Sequence, residues 1–290
     1  MSSDSPVILI TGCSGGFGRP LALYALSLGL RVIATARRVS TLDELRDKGA
    51  KVLTLDVTAS RDVLKEFAKE AIAAYGQVDI LINNAGQFLT GAIEENTHEQ
   101  IYDQFNTDFF GIVNLTCAFL PHMRQRRTGT IVNISSQGSL LAISGAGVYC
   151  ASKAALETVT EAWSKELAPF NIRAVAIVRG AFRTSVAGPN AIKPREEING
   201  YDEAHEFLRI FQERVGQELG DAEKAAKKLI DLITSDTSKP LPPRLALGED
   251  VMHFGPQILQ GRLNDFEGWK DFAMGANADG PVFAGGNGKF

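Results

Sequence analysis

A tyrosine and a lysine four residues apart are the first pair with chemical potential. In Tyr149-Cys150-Ala151-Ser152-Lys153 the spacing puts a phenol and an ammonium on one face of a helix. A phenol, with a reference pKa of about 10, is a poor base at neutral pH. A neighbouring ammonium favours its anion, so the pair can take a proton from an alcohol or return one to a carbonyl. The same spacing recurs in helices that do no chemistry, so the surroundings decide. Upstream, Ser135-Ser136 follows a β-branched run at 130–134, placing a hydroxyl where a strand ends.

A second group lies near the start of the chain. The run Thr11-Gly12-Cys13-Ser14-Gly15-Gly16-Phe17-Gly18 follows a short apolar strand and precedes an apolar helix. Glycines at 12, 16 and 18 allow a tight turn, close backbone approach to a pyrophosphate, and close packing of helix on strand. That describes a dinucleotide cradle. At the end of the second strand, where an Asp or Glu would receive the ribose hydroxyls of NAD, stands Thr35-Ala36-Arg37-Arg38. Guanidinium groups match a 2′-phosphate, so the cofactor expected is NADP(H); the alternative is that both arginines simply face solvent.

These groups need a scaffold. Runs at 7–11, 31–36, 51–55, 78–83, 129–135 and 172–178 read as strands, with helices at 16–28, 41–48, 60–75, 97–125 and 149–168 between them. Continuous apolar runs such as Val-Ile-Leu-Ile mean strands buried on both faces. The fold expected is α/β: a Rossmann-type doubly wound parallel sheet with helices on both faces, in a single domain spanning 1–290. Beyond residue 178 the alternation stops. A Gly-, Pro- and Asn-rich stretch followed by an amphipathic segment at 201–219 suggests a lid at about 188–219. A helix at 222–233 and a strand at 245–247 follow, then a variable tail, 248–290, with no readable element.

Composition bounds the partners. With 44% hydrophobic and 22% charged residues, the chain can bury an ordinary core. A net charge of −4 argues against tracking a nucleic-acid backbone. The apolar run at 7–10 is too short for a membrane span or an export signal, and Cys13, Cys117 and Cys150 fit neither a disulfide framework nor a zinc site. A cytoplasmic protein is expected. His98, His122, His205 and His253 are scattered and read as surface or helix-end groups, with no metal implied.

The glycine spacing Thr-Gly-x-x-x-Gly-x-Gly, Asp56-Val57 after strand three, Asn83-Asn84-Ala85-Gly86 after strand four, and the Ser136, Tyr149 and Lys153 set together resemble the short-chain dehydrogenase/reductase family, from residue 7 to about 184. The resemblance implies hydride transfer between cofactor and substrate carbon. In it Ser136 orients the carbonyl, Tyr149 transfers the proton, and Lys153 tunes Tyr149 and binds the nicotinamide ribose. It also implies cofactor contacts from Thr11, Gly12, Ser14, Gly16, Phe17, Gly18, Asp56, Val57, Asn83, Ala85, Gly86, Gly180, Phe182 and Thr184, beside Arg37 and Arg38. Family members assemble through the two long helices, so a homodimer or homotetramer is expected.

Two positions depart from the family pattern. Asp108 stands where the family has an Asn that completes a proton relay through a bound water to the lysine; Asn106 lies two residues away, expected on a different side of the helix. After strand six, Arg179-Gly180 replaces Pro-Gly, putting a cation near the reactive end of the cofactor, where it would pair with Asp108, a phosphate or an acidic substrate group. Apolar candidates around the pocket, among them Phe88, Leu140, Ile143, Val148, Phe207 and Phe211, point to a hydrophobic ketone or secondary alcohol as substrate. The departures leave open a non-redox enzyme such as an isomerase, dehydratase or cyclase; a non-catalytic NADP(H) sensor is a further alternative that no particular residue favours.

Overall fold

The computed structural model describes residues 5–184, 190–235 and 240–275. The first residues of the expected lid, 188 and 189, and the Gly-rich end of the tail, 276–290, lie outside the described residues. The order is β1 (Val7–Ile10), α1 (Gly18–Ser27), β2 (Arg31–Ala36), α2 (Asp43–Asp47), β3 (Lys51–Thr54), α3 (Arg61–Ala73), β4 (Ile80–Asn83), α4 (His98–Phe105) and α5 (Gly111–Arg126). There follow β5 (Gly129–Ile134), α6 (Gly138–Leu141), α7 (Gly147–Glu166), β6 (Ile172–Arg179), α8 (Asp202–Glu213), α9 (Ala222–Thr234), β7 (Arg244–Leu247), α10 (Glu249–Gly268) and α11 (Lys270–Ala273).

The strands form one parallel sheet in the order β3-β2-β1-β4-β5-β6-β7, so the winding reverses between β1 and β4. The Val-Ile-Leu-Ile run of β1 shows why such strands carry no polar face. Ile8 and Ile10 pack with Leu21 and Ala25 of α1 and Leu229 and Ile230 of α9. Val7 and Leu9 point the other way, into a layer with Leu64 and Phe67 of α3, Phe119 of α5 and Trp163 of α7. Both faces are covered by helices, which a parallel sheet requires.

Local signals set the helix starts. Ser60 accepts from Val63 N at the head of α3, Thr97 and Gln100 form a reciprocal capping box on α4, and Asp221 accepts from Glu223 N and Lys224 N on α9. The single helix expected over 97–125 is instead α4 and α5 joined by one wide π turn, Asn106–Phe110, in which Gly111 N–H reaches back to Asn106 O. Such turns insert one extra residue and swing the side chains after it, and they favour functional sites.

Two other expectations are corrected. The amphipathic segment is helical only to Glu213, and a turn with Gly216 at φ 87° ends it before residue 219. The tail is not featureless: Gly248, at φ 130°, launches the 20-residue α10, whose internal Pro256 and glycines obscure its helical pattern in sequence. None of the described helices is long and apolar enough to cross a membrane.

Candidate active site

A cleft of about 710 Å³ opens at the C-terminal ends of β1, β2, β4 and β5, around the reversal of strand order. Ligands of doubly wound sheets bind at this point. Thr11 builds its floor: its hydroxyl accepts from both Asn84 N and Ala85 N at 2.9 Å, while Asn84 Nδ2 donates to Thr11 O at 2.8 Å. The loops after β1 and β4 are thereby locked together. The glycines there are steric requirements. Gly12 sits at φ 70°, and a Cβ on it would lie 2.9 Å from Ala85 Cα; one on Gly18 would lie 2.5 Å from Gly12 O. Ser14, Gly16 and Phe17 line the cleft, and Phe17 stacks on Phe182 with ring centres 5.9 Å apart. A backbone cradle that side chains would fill, at the head of α1, fits a dinucleotide phosphate.

At the adenine-side end stand Arg37, Arg38, Asp56 and Val57. Asp56 Oδ1 accepts from Thr58 Oγ1 at 2.7 Å and Thr58 N at 2.9 Å. The Thr58 hydroxyl first, then the Thr58 N–H and the Arg37 charge, hold its carboxyl below the usual range against the effect of partial burial. Among the described residues no hydrogen bond or salt bridge ties either guanidinium, so both are available to a ligand.

Tyr149 and Lys153 line the other end, and Ser136, which does not itself line the cleft, stands close to Tyr149. A Cβ on Gly138 would stand 3.4 Å from Tyr149 Cε1 and 3.5 Å from Ser136 Oγ, so the phenol ring and the serine hydroxyl flank one small glycine. Ser136 Oγ accepts from Gly138 N at 3.2 Å, whereas the adjacent Ser135 Oγ donates to the buried Glu157 at 2.6 Å. The two serines therefore do different jobs. The Tyr149 ring packs edge-on against Phe88, with centres 4.8 Å apart, and the Phe211 ring of α8 meets Phe88 at 5.6 Å. Phe88 and Tyr149 belong to a small buried apolar cluster against which Ile143 and Phe211 pack, and Leu89 and Val148 are buried as well.

Lys153 Nζ lies 5.9 Å from the Tyr149 ring centre, donates to Ile134 O at 3.1 Å, and is 3.1 Å from Asp108 Oδ2. Asp108 Oδ1 accepts from Gln87 N at 2.8 Å. Both charged side chains of this pair are buried. Burial pushes the Asp108 carboxyl up, against the Lys153 charge and the Gln87 N–H. The π turn explains the placement, and it corrects one expectation: Asn106 is not turned away but lines the cleft with Thr107 and Asp108. Of the three pairings open to Arg179, the one with Asp108 is not formed among the described residues, where Asp108 meets Lys153 instead. Arg179 lines the cleft at the end of β6, its carbonyl accepting from Gln137 N at 2.8 Å.

Other expected contacts fall outside the cleft. Asn83 is wholly buried, donating to Thr116 Oγ1 at 3.0 Å and Asn133 Oδ1 at 2.8 Å; it ties β4 to β5 and α5, and Asn84 is the residue that lines the cleft. Gly180 donates to Leu247 O at 2.9 Å, and a side chain there would collide with Asp250, so its smallness serves the packing of α10. Thr184 does not line the cleft, though Asn190 and Ile192 beyond it do. Sequence reasoning passed over Glu95 and read His205 as a surface or helix-end group; the two side chains, 110 residues apart, meet at 2.6 Å. Only the tertiary fold brings them together.

A doubly wound sheet, a glycine cradle at its reversal point, and a Ser, Tyr and Lys at the reactive end define a nicotinamide-dinucleotide oxidoreductase scaffold. Residues 6–194 match the family model described as short chain dehydrogenase. The chain is 40% identical over 209 residues to 3-ketodihydrosphingosine reductase of Bacteroides thetaiotaomicron, covering 71% of this chain and 74% of that one. It is 36% identical over 181 residues to the NADPH-dependent 1-acyldihydroxyacetone phosphate reductase of Schizosaccharomyces pombe, covering 62% and 60%. The structure of a short-chain dehydrogenase from Streptomyces avermitilis superposes with a TM-score of 0.85 at 38% identity, covering 96% of this chain and 100% of that one. The chain belongs to the short-chain dehydrogenase family, oxidoreductases built on an NAD(P)-binding fold.

Proposed function

We propose that this protein is an NADP(H)-dependent oxidoreductase that interconverts a hydrophobic ketone and its secondary alcohol. The observation that carries the reading is the meeting of Tyr149 and Ser136 around Gly138, with Lys153 near the phenol ring and Tyr149 and Lys153 lining the same cleft as Gly12 and Gly16. When bound, the nicotinamide supplies or accepts the hydride. Ser136 Oγ, which among the described residues only accepts from a backbone N–H, can donate its own proton to the substrate oxygen and hold it beside Tyr149. Tyr149 gives or takes the proton at that oxygen, and Lys153, fixed by Ile134 O, holds positive charge behind the ring. Gly86, on which a Cβ would lie 3.4 Å from Lys153 Nζ, keeps the approach to that ammonium open for the ribose.

Arg37 and Arg38 support the 2′-phosphorylated cofactor, and the Schizosaccharomyces pombe relative, an NADPH-dependent reductase by name, agrees with it. The aromatic chain Phe207, Phe211, Phe88 and Tyr149 supports a substrate with an apolar body beside its carbonyl. The Bacteroides thetaiotaomicron relative, a ketodihydrosphingosine reductase by name, points the same way. The half-exposed Tyr102 and Phe110, on and beside the long helices, support assembly into a homodimer or homotetramer.

Titration of NADPH and of NADH into the purified protein, followed by calorimetry, tests the cofactor. NADPH should bind at least tenfold more tightly, and Arg37→Glu with Arg38→Glu should abolish that preference, since each removed guanidinium–phosphate contact is worth about 1.5–3 kcal/mol. Equal affinities in the unaltered protein would overturn the NADP(H) assignment. On a responsive ketone, Tyr149→Phe should lower kcat at least a hundredfold; full activity would mean that another group transfers the proton.

A further inference from the structure

We propose that Asp108 is a positioning residue that acts through Lys153, compensating its charge so that Tyr149 keeps its proton to higher pH and ketone reduction extends further into the alkaline range. The inference rests on the oxidoreductase reading above. It arises from a contact that the family resemblance does not supply: where an amide and a water would serve, this chain sets a carboxylate directly against the lysine.

The geometry separates this pair from a surface salt bridge. Lys153 and Asp108 are both buried, 3.1 Å apart, and held at separate points: Nζ by Ile134 O, Oδ1 by Gln87 N. Neither side chain can swing into solvent without abandoning a backbone partner. Seen from the phenol, a lone ammonium is a monopole that favours the anion, whereas an ammonium bound to a carboxylate is a dipole whose field falls off much faster. The other charged groups facing the cleft are Asp103 on α4, Arg179 on β6, and Arg37, Arg38 and Asp56 at its far end. Cys150, beside Tyr149, is buried, which pushes its thiol up and keeps it neutral. Asp108 is thus the anion in direct contact with the Lys153 ammonium.

In the reduction, the carbonyl carbon gains the hydride delivered by the reduced dinucleotide and its oxygen gains the Tyr149 proton. The phenolate left behind recovers a proton from water by way of the Lys153 ammonium. The protonated phenol is the competent form, so whatever preserves it at higher pH extends the working range. The compensation operates while Asp108 is ionised and fades toward acid, because burial raises the proton affinity of that carboxyl.

The test is Asp108→Asn, which keeps an acceptor for Gln87 N and removes the charge. Tyrosinate ultraviolet absorbance of the nucleotide-free protein, with the Tyr149→Phe protein as the subtraction, reads Tyr149 alone. Its ionisation in Asp108→Asn should move about one pH unit lower than in the unaltered protein, and the pH at which kcat for ketone reduction falls should move with it. Asp108→Glu, which keeps the charge, should restore most of the difference. An unmoved tyrosinate titration overturns the proposal. Should Asp108→Asn fail to fold, Asp108→Ser makes the same charge change and is read in the same way. Because the absorbance readout needs neither cofactor nor substrate, a failure of the proposal stays distinct from a failure of the oxidoreductase reading, which nucleotide titration decides.

Discussion

A single hydroxyl carries much of the site's rigidity. Thr11 accepts two backbone N–H groups from the loop after β4, both in the first turn of the cofactor cleft. Thr11→Val keeps the shape and leaves those donors without an acceptor, which should lower unfolding free energy by about 2 kcal/mol and weaken nucleotide binding. Thr11→Ser should recover most of both. Urea denaturation with nucleotide titration checks it, and a Val variant as stable as the original would place the lock elsewhere. At this scale the sequence was informative where function is local: the glycines, Ser136, Tyr149 and Lys153 can be found by type and spacing alone. It was less informative where orientation depends on neighbours. Nothing local distinguishes Asn83 from Asn84, yet strand alternation buries one and exposes the other to the cleft.

Elements behave similarly. The sheet and most helices follow from apolar periodicity, but the π turn at Asn106–Phe110 depends on how α4 and α5 pack, and it decides which of Asn106 and Asp108 reaches Lys153. Helix α8 shows what tertiary contacts add. Glu95 accepts from Ala92 N and Ile198 N and meets His205 of α8, while Tyr201 OH donates to Glu94. Burial opposes ionisation of Glu95, but its hydrogen bonds from Ile198, His205 and Ala92 outweigh that and hold its carboxyl below the usual range. The hydrogen bond to Glu95 is the main cause raising His205 above its usual value, with the charges of Glu95, Glu197 and Asp202 adding to it. The signs define a window. The Glu95 contribution is present above the ordinary carboxyl range and lost as pH falls through its lowered value. The His205 contribution is full below its ordinary value, about 6.5, and lost as pH rises through its raised value. Amide exchange in α8, corrected for intrinsic rate, should therefore show less protection at pH of about 9 than at about 6. His205→Gln should flatten the difference; an unchanged difference would show that this contact does not hold α8.

The molecule as a whole divides into a packed body and an arm. Alternation of strands and helices made the body legible in advance, since a buried parallel sheet can be covered in few ways. The arm was illegible because α10 has glycines and a proline inside it and no buried stripe to impose a period. Its root is tied down: Asp250 Oδ2 accepts from Ala181 N at 2.7 Å, and Val251 and Gly255 are buried. Beyond that, Leu259, Leu263, Phe266, Trp269 and Phe272 are exposed, and Arg262 donates to Leu140 O. Side chains that stay in water contribute little to folding, so the arm past Gln257 should matter little to the stability of the body. A chain ending at Gln257 should unfold within about 2 °C of the full chain and bind nucleotide equally well, since about 1 kcal/mol moves the midpoint of a domain this size by only a few degrees. Asp250→Ala in the full chain should do the opposite. It frees Ala181 N beside the cofactor cleft, and should lower both the midpoint and nucleotide affinity although the arm remains intact. Thermal melts of the two proteins side by side check this, and a truncated chain that melts much lower would mean that the arm is held by contacts beyond its root.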